Sequence, residues 1–438
     1  MKAEIFHSVL SGKIIAPPSK SEAERFMIIA FLAEYFCKKN KRITVKNVGS
    51  SDDVKAMKNV LEALGLKCGF TGGDFYADYY DERTAIEKDG FISADVYSSG
   101  ATLRFILPVI AAIGKSARIY GDKTLLARPN GSLFIVLSSA GIKIEREENY
   151  IELSGKISEA ELTIDRSLSS QYLSGLLLVA PLIGNIVKIK AVGEQTSGGY
   201  IDMTIAALKN IGVTVTENSG IYTVKSDVND NNIPDEFTVK GDYSGAAQFI
   251  LSGAKTVTIE NLDKNSLQPD ESVLAAAKKF GLNIEWEENK VTVRNVSCDN
   301  MNDKKEEPLE FFIDGCPDLA EIIAVSSVIF NKNAIIHGTK RLKYKESDRA
   351  AAIKRLLTAA GVKTEVTDNS IVIYPSKPKP FVFDADGDHR SVFAATILAA
   401  FTEGNEKSVI YGAEAIKKSY PGFFNDFIEL GGNCRVDF

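Results

Sequence analysis

The chain has 438 residues, 52 of them Lys or Arg and 58 Asp or Glu, for a formal charge of −6. That balance excludes a surface made wholly to hold nucleic acid, which needs a basic face, and no nucleic-acid partner is expected. The apolar runs at 105–113 and 176–183 are each broken by a proline and fall short of the ~18 to 20 residues that cross a bilayer, so no membrane partner is expected either.

In chain order, PPSKSEAERFMIIAFL predicts a helix opening near Lys20, with Arg25 in its first turns. After a Ser51/Asp52 cap, Val54, Met57, Leu61 and Leu64 fall on one helical face, and Gly65 supplies the left-handed stop. SSGATLRFILPVIAA opens a further helix around Arg104. The stretch SSAGIKIEREENYIEL ends a helix at Gly141, then alternates apolar and polar residues at the period of a strand and folds back at a polar turn. The same pattern returns at Gly212, Gly281 and Gly361, and in truncated form at Gly432. Between these copies KYKESDRAAAIKRLL, GDHRSVFAATILAA and KKSYPGFF predict helix starts that carry Lys345 and Arg349, Arg390, and Lys418.

Six copies at intervals of roughly 70 to 80 residues are too long for most solenoid repeats and predict a few compact lobes. A polar stretch from Asp227 to Asp235 places the break near Lys240–Asp242, three copies on each side. The expectation is an α/β (α+β) protein of two similar lobes, 19–241 and 1–18 plus 242–438. Cations at several helix starts oppose the macrodipole unless an anion faces them. A cleft that binds more than one small anion is the expected consequence.

Other chemistries lack their signatures. There is no GxGxxG, and Gly114-Lys115-Ser116 has Val109 where a P-loop needs glycine. HExxH, CxxC and GxSxG are missing, so no metal and no cofactor is expected. Cys37, Cys68, Cys298, Cys316 and Cys434 are scattered and odd in number, and the start MKAEIFHSVLSG shows no signal peptide, which together suit a reducing, cytoplasmic location. No heptad or evident interface patch appears, and a monomer is expected.

The motifs PSKSEAER, SSGATLR, Arg128-Pro129, SSQY, SGGYIDMT, GDYSGA, CPDLAE, RLKYKESDR, DHR and KSYP occur in this order along the whole chain. In them the sequence resembles the 5-enolpyruvylshikimate-3-phosphate (EPSP) synthase family. The resemblance implies an inside-out α/β barrel fold with helix N-termini facing the cleft between lobes. It implies transfer of the enolpyruvyl group of phosphoenolpyruvate to the 5-hydroxyl of shikimate 3-phosphate through a tetrahedral ketal phosphate. By motif matching, Lys20, Gly100, Arg128, Gln171, Arg349, Arg390 and Lys418 would bind phosphoenolpyruvate. Lys20, Ser21, Arg25, Ser169, Ser170, Gln171, Ser197, Asp318, Arg341 and Lys345 would hold shikimate 3-phosphate, with Ser98, Arg104, Tyr200 and His389 in support. Asp318 would act as base toward the hydroxyl, Glu346 would exchange the methylene proton, and Lys20 would assist phosphate departure. Ser98, Ala101 and Ser391-Val392 depart from the usual residues of these motifs, and Gly100 leaves room for glyphosate, so an inhibitor-sensitive enzyme is expected. The sister UDP-N-acetylglucosamine enolpyruvyl transferases resemble it less, because Arg118–Arg128 contains no cysteine. A non-catalytic anion-binding scaffold is disfavoured by the presence of Lys20, Asp318, Glu346 and Lys418.

Overall fold

The computed structural model describes all residues except 38–41, 83–89, 196, 230–232, 296–306, 405 and 438. Cys298 and the Cys37 side chain lie outside the described residues; Cys68, Cys316 and Cys434 are free thiols. The chain forms two compact units, Met1–Pro17 with Lys240–Phe438, and Pro18–Val239.

Among the described residues each unit contains three four-stranded sheets of one topology. Two parallel strands lie side by side, and an antiparallel pair of strands completes the sheet. In one example Glu161–Asp165 runs parallel to Ile186–Val192, which pairs antiparallel with Ile221–Ser226 and through it with Val213–Asn218. Burial alternates strictly along Ile186–Val192, as a sheet with one wet face requires.

Segments remote in sequence complete one sheet of the unit 18–239 and two of the other. Lys2–Phe6 lies between Ser408–Tyr411 and Asn433–Asp437, and Gly12–Ile15 pairs with Thr256–Glu260. In the unit 18–239, Glu236–Thr238 returns to pair with Ile43–Lys46.

The helices that position polar side chains are α1 (Lys20–Cys37), α2 (Asp52–Ala63), α3 (Gly100–Ile113), α4 (Ser170–Ile183), α5 (Gly198–Lys209), α6 (Tyr243–Ile250), α7 (Ala320–Ile329), α8 (Arg349–Ala359) and α9 (His389–Ala400). In α3 every residue but Arg104 is buried, and all of α9 is. Helices apolar on all faces belong inside a unit rather than on its surface. Any charged group at their N-terminal ends is therefore held by specific partners, not by bulk water.

The capping reading holds at α2, where Ser51 Oγ accepts from Val54 N at 3.4 Å and Gly65 follows with φ +107°. Gly141, Gly212, Gly281 and Gly361 are left-handed in the same way. In the last copy the left-handed residue is Gly431, φ +95°, and not Gly432. The following glycine is needed for another reason: a Cβ on it would strike the Phe427 ring.

Candidate active site

In the unit 18–239, Ser19 caps α1, its carbonyl accepting from Ala23 N at 2.9 Å. Lys20 then stands in the first turn, where a cation meets the positive end of the helix. Its Nζ lies 2.7 Å from Asp53 Oδ2, in the first turn of α2, and Asp53 is buried. One turn on, Glu24 is fully buried, and its Oε1 accepts from the Ser99 and Thr102 hydroxyls, both at 3.3 Å. Burial pushes the Glu24 carboxyl up to about 7, against the opposing pull of Lys20.

Ser99 is the N-cap of α3, with half-buried Ser98 before it and Gly100 after it. A Cβ at Gly100 would sit 3.2 Å from Arg128 Nη1 and 3.4 Å from Arg104 Nη1. Glycine thus lets the helix start lie against two guanidinium groups. Arg104 Nη1 donates to Gln171 Oε1 at 2.7 Å and its Nε to Asn130 Oδ1 at 3.0 Å, while Asn130 Nδ2 donates to the Arg128 carbonyl at 3.2 Å. One arginine therefore positions the start of α4 and the segment 128–130. Ser169 caps α4, its Oγ accepting from Gln171 N at 3.2 Å, and Ser170 is buried beside it.

Arg25 joins α1 to α5. Its Nε donates to Thr204 Oγ1 at 2.8 Å, and its Nη atoms donate to the carbonyls of Ser21 at 2.6 Å and Tyr200 at 3.0 Å. Three of its five N–H groups are thereby used on the protein. Ser197 caps α5 in the left-handed region, φ +54°, a conformation that costs energy for a residue with a Cβ.

The other unit assembles Asp318, Lys345, Glu346, Arg349 and Arg390. Arg349 is 1% exposed and begins α8. Its Nη1 donates to Asp318 Oδ1 at 2.8 Å, its Nη2 to Glu346 Oε2 at 2.9 Å, and its Nε to Asp388 Oδ2 at 2.8 Å. Asp388 is also the N-cap of α9, accepting from Arg390 N at 3.0 Å. Arg390 Nη2 donates to Asp318 Oδ2 at 3.2 Å and its Nη1 to the Ser244 carbonyl at 2.9 Å, while Lys345 Nζ lies 3.5 Å from Asp318 Oδ1.

Asp318 is thus ringed by three cations. Burial alone would raise its pKa, but Lys345, Arg390 and Arg349 together hold the carboxyl well below its usual range. Burial in turn lowers the Lys345 ammonium, against the pull of Asp318. Such a carboxylate is a weak base until an anion draws on the same cations.

Two cations expected at helix starts, Lys418 and Lys345, are placed differently. Lys418 does not open a helix: it is buried at the end of the 3-10 segment Ala413–Lys418, before Pro421 allows a new helix at Phe423. Lys345 likewise follows a 3-10 segment, Thr339–Tyr344, and precedes α8. Arg341 Nη2 donates to the Asp314 carbonyl at 2.5 Å, outside the ring of groups bonded to Asp318. His389 is buried, its ring in a T-shaped contact with that of Phe393 at 5.8 Å between centroids.

The partners Asp53, Asn130, Asp388, Glu24 and Glu321 were not singled out from the sequence. Asp388 could have been found as a cap residue preceding an apolar helix; nothing in the sequence marks the others. Among the described residues no helix is long and apolar enough to cross a membrane, and no group of three or more His, Cys, Asp or Glu could hold a metal ion.

Residues 7–427 match the family model for EPSP synthase (3-phosphoshikimate 1-carboxyvinyltransferase). The 3-phosphoshikimate 1-carboxyvinyltransferase of Saccharolobus solfataricus is 32% identical, with 100% of each chain covered. That of Clostridium novyi is 31% identical over 98% of this chain and 97% of its own. In fold, the chain is similar to the EPSP synthase of Acinetobacter baumannii, with a TM-score of 0.75 at 17% identity and 100% of both chains covered. The whole-chain match agrees with the motifs read from the sequence, and the chain belongs to the EPSP synthase (3-phosphoshikimate 1-carboxyvinyltransferase) family of enzymes.

Proposed function

We propose that this protein transfers the enolpyruvyl group of phosphoenolpyruvate to the 5-hydroxyl of shikimate 3-phosphate, releasing phosphate. The observation that supports this most is the sharing of Arg349 by Asp318 and Glu346, at 2.8 and 2.9 Å. The two carboxylates expected to move protons thus contact a guanidinium expected to hold an anion.

In the reaction Asp318 takes the hydroxyl proton as the oxygen attacks C2 of phosphoenolpyruvate, and Glu346 delivers a proton to the methylene carbon. A tetrahedral ketal phosphate results. Loss of phosphate, aided by Lys20 and with the proton taken up by Asp318 passing to the departing phosphate, together with return of a methyl proton to Glu346, forms the enol ether. Phosphoenolpyruvate is assigned to Lys20, Gly100, Arg128, Gln171, Arg349, Arg390 and Lys418. Shikimate 3-phosphate is assigned to Lys20, Ser21, Arg25, Ser169, Ser170, Gln171, Ser197, Asp318, Arg341 and Lys345. Anions at Arg349 and Arg390 would compete for the cations that depress Asp318, which makes Asp318 more basic. Both substrates carry a phosphate and a carboxylate, which the arginine forks match in geometry and the lysines in charge. The protein is assigned to the cytoplasm as a monomer.

General acid-base help is worth about 10² to 10⁴ in rate. Asp318→Asn and Glu346→Gln should therefore lose about that much kcat while phosphoenolpyruvate still binds, measured by mass detection of the enol ether and by equilibrium binding. A double variant with wild-type turnover would refute the roles.

A further inference from the structure

Arg349 touches a fourth carboxylate that the reaction does not use. Glu321, in the first turn of α7, is 3% exposed, and its Oε2 lies 3.8 Å from Arg349 Nε. That contact is too long for a hydrogen bond, because the Nε proton is already given to Asp388 Oδ2 at 2.8 Å. Oε2 has no hydrogen-bond partner among the described residues, whereas Oε1 accepts from Ser391 Oγ at 2.6 Å. Glu321 and Ser391 thus form a buried pair of their own behind the guanidinium, joining α7 to α9.

We propose that Glu321 is a positioning residue for Arg349, whose charge state decides whether the guanidinium stays on Asp388, Asp318 and Glu346 or is drawn back toward α7. Charge counting supports this. Four carboxylates (Asp318, Glu321, Glu346 and Asp388) face three cations (Lys345, Arg349 and Arg390), so one acid held neutral brings the cluster to balance. Glu321 is the one held neutral. Burial, then the nearby charge of Asp388, pushes it up to about 8, while Arg349, the Ser391 hydroxyl and Arg390 pull the other way.

Asp242 and Asp270 act on Arg390, Arg341 acts on Lys345, and His389 Nδ1 lies 3.7 Å from Asp388 Oδ1, but the charges that chiefly act on Glu321 itself are Asp388, Arg349 and Arg390. From α9 come Asp388, His389 and Arg390, from α8 Arg349, and from the turn before α7 Asp318. The strands packed under α7 offer only His337, whose ring stacks on Phe312, and Tyr374, whose hydroxyl reaches Glu365 at 3.4 Å. When Glu321 ionises, an unpaired buried charge 3.8 Å from Nε competes with Asp388 for the same N–H. The grip on an anion then loosens.

The inference rests on the assignment of phosphoenolpyruvate to Arg349. Its test is the equilibrium dissociation constant of phosphoenolpyruvate, without shikimate 3-phosphate so that no turnover consumes the ligand, at pH 7 and pH 9. If only the protonated form binds, affinity scales with its fraction, and the wild-type constant rises about tenfold between the two pH values. In Glu321→Gln, which mimics the neutral acid, the ratio should fall to about one, each variant being compared with its own pH 7 value. Ser391→Ala removes the hydrogen bond that favours the charged form, so its rise should begin at higher pH than in wild type. An alkaline rise unchanged in both variants, with binding intact at pH 7, would overturn the role of Glu321 alone. No phosphoenolpyruvate binding by wild type at pH 7 would overturn the binding assignment and this inference with it.

Discussion

Arg349→Lys is the most informative single perturbation of the charged cluster. The guanidinium satisfies three carboxylates from one plane, at 2.8, 2.8 and 2.9 Å, and is 1% exposed. An ammonium keeps the charge but has a shorter reach and no fork, so it can serve at most one or two of these acids. Losing about two charged hydrogen bonds at roughly 1.5 kcal/mol each gives a cost of about 3 kcal/mol. For a unit of roughly 200 residues that lowers Tm by about 6 to 12 °C. Scanning calorimetry of wild type, Arg349→Lys, Asp388→Asn and the double variant would measure it. The contact predicts a coupling of about 2 kcal/mol between the two positions. Additivity within about 0.5 kcal/mol, or a Tm within about 2 °C of wild type for Arg349→Lys, would refute the clamp.

Other outcomes follow from the same geometry. Glu24 has a folded pKa of about 7 against an ordinary 4.5, so the folded state binds the extra proton. The stability this carboxyl contributes is complete below about pH 4.5 and is lost as pH rises through about 7. Glu24→Gln should then gain on the order of 3 kcal/mol over wild type at pH 8 and almost nothing at pH 4.5, read from urea midpoints; an equal difference at both pH values would contradict the sign. Gly100→Ala places a methyl 3.2 Å from Arg128 Nη1, so the arginine must shift by a few tenths of an ångström. Steady-state kinetics should show a several-fold higher KM for phosphoenolpyruvate and a larger loss of glyphosate inhibition, while wild type is inhibited at millimolar glyphosate or below. Arg25→Lys cannot span Thr204 and the Tyr200 carbonyl together, and should raise KM for shikimate 3-phosphate while lowering the Tm of the unit 18–239 by several degrees; unchanged values of both would remove Arg25 from the tether.

Local chemistry made the repeat legible. A cap such as Ser51, an apolar stripe such as Val54, Met57 and Leu61, and a stop such as Gly65 act within a dozen residues, and their signals survive in a linear sequence. The same locality explains the slip at Gly431 and Gly432, where two adjacent glycines look alike but only one has positive φ. Lys418 was misplaced because a 3-10 turn carries almost no periodicity. The cations of the site were visible as a conflict with helix dipoles, and their motifs gave the family.

Which acid each cation pairs with was not visible. Lys20 meets Asp53 from 33 residues away, Arg349 meets Asp388 from 39, and Ser391 meets Glu321 from 70. Such pairs form only when helices distant in sequence pack together, as α1 does with α2, and α7 and α8 do with α9. No spacing rule encodes them.

The most direct test of the central claim is phosphate release from phosphoenolpyruvate by the purified protein, with shikimate 3-phosphate or UDP-N-acetylglucosamine offered in turn. Release in step with acceptor consumption is expected with shikimate 3-phosphate and none with the UDP-sugar. Release with the UDP-sugar alone, or with neither acceptor, would contradict the account.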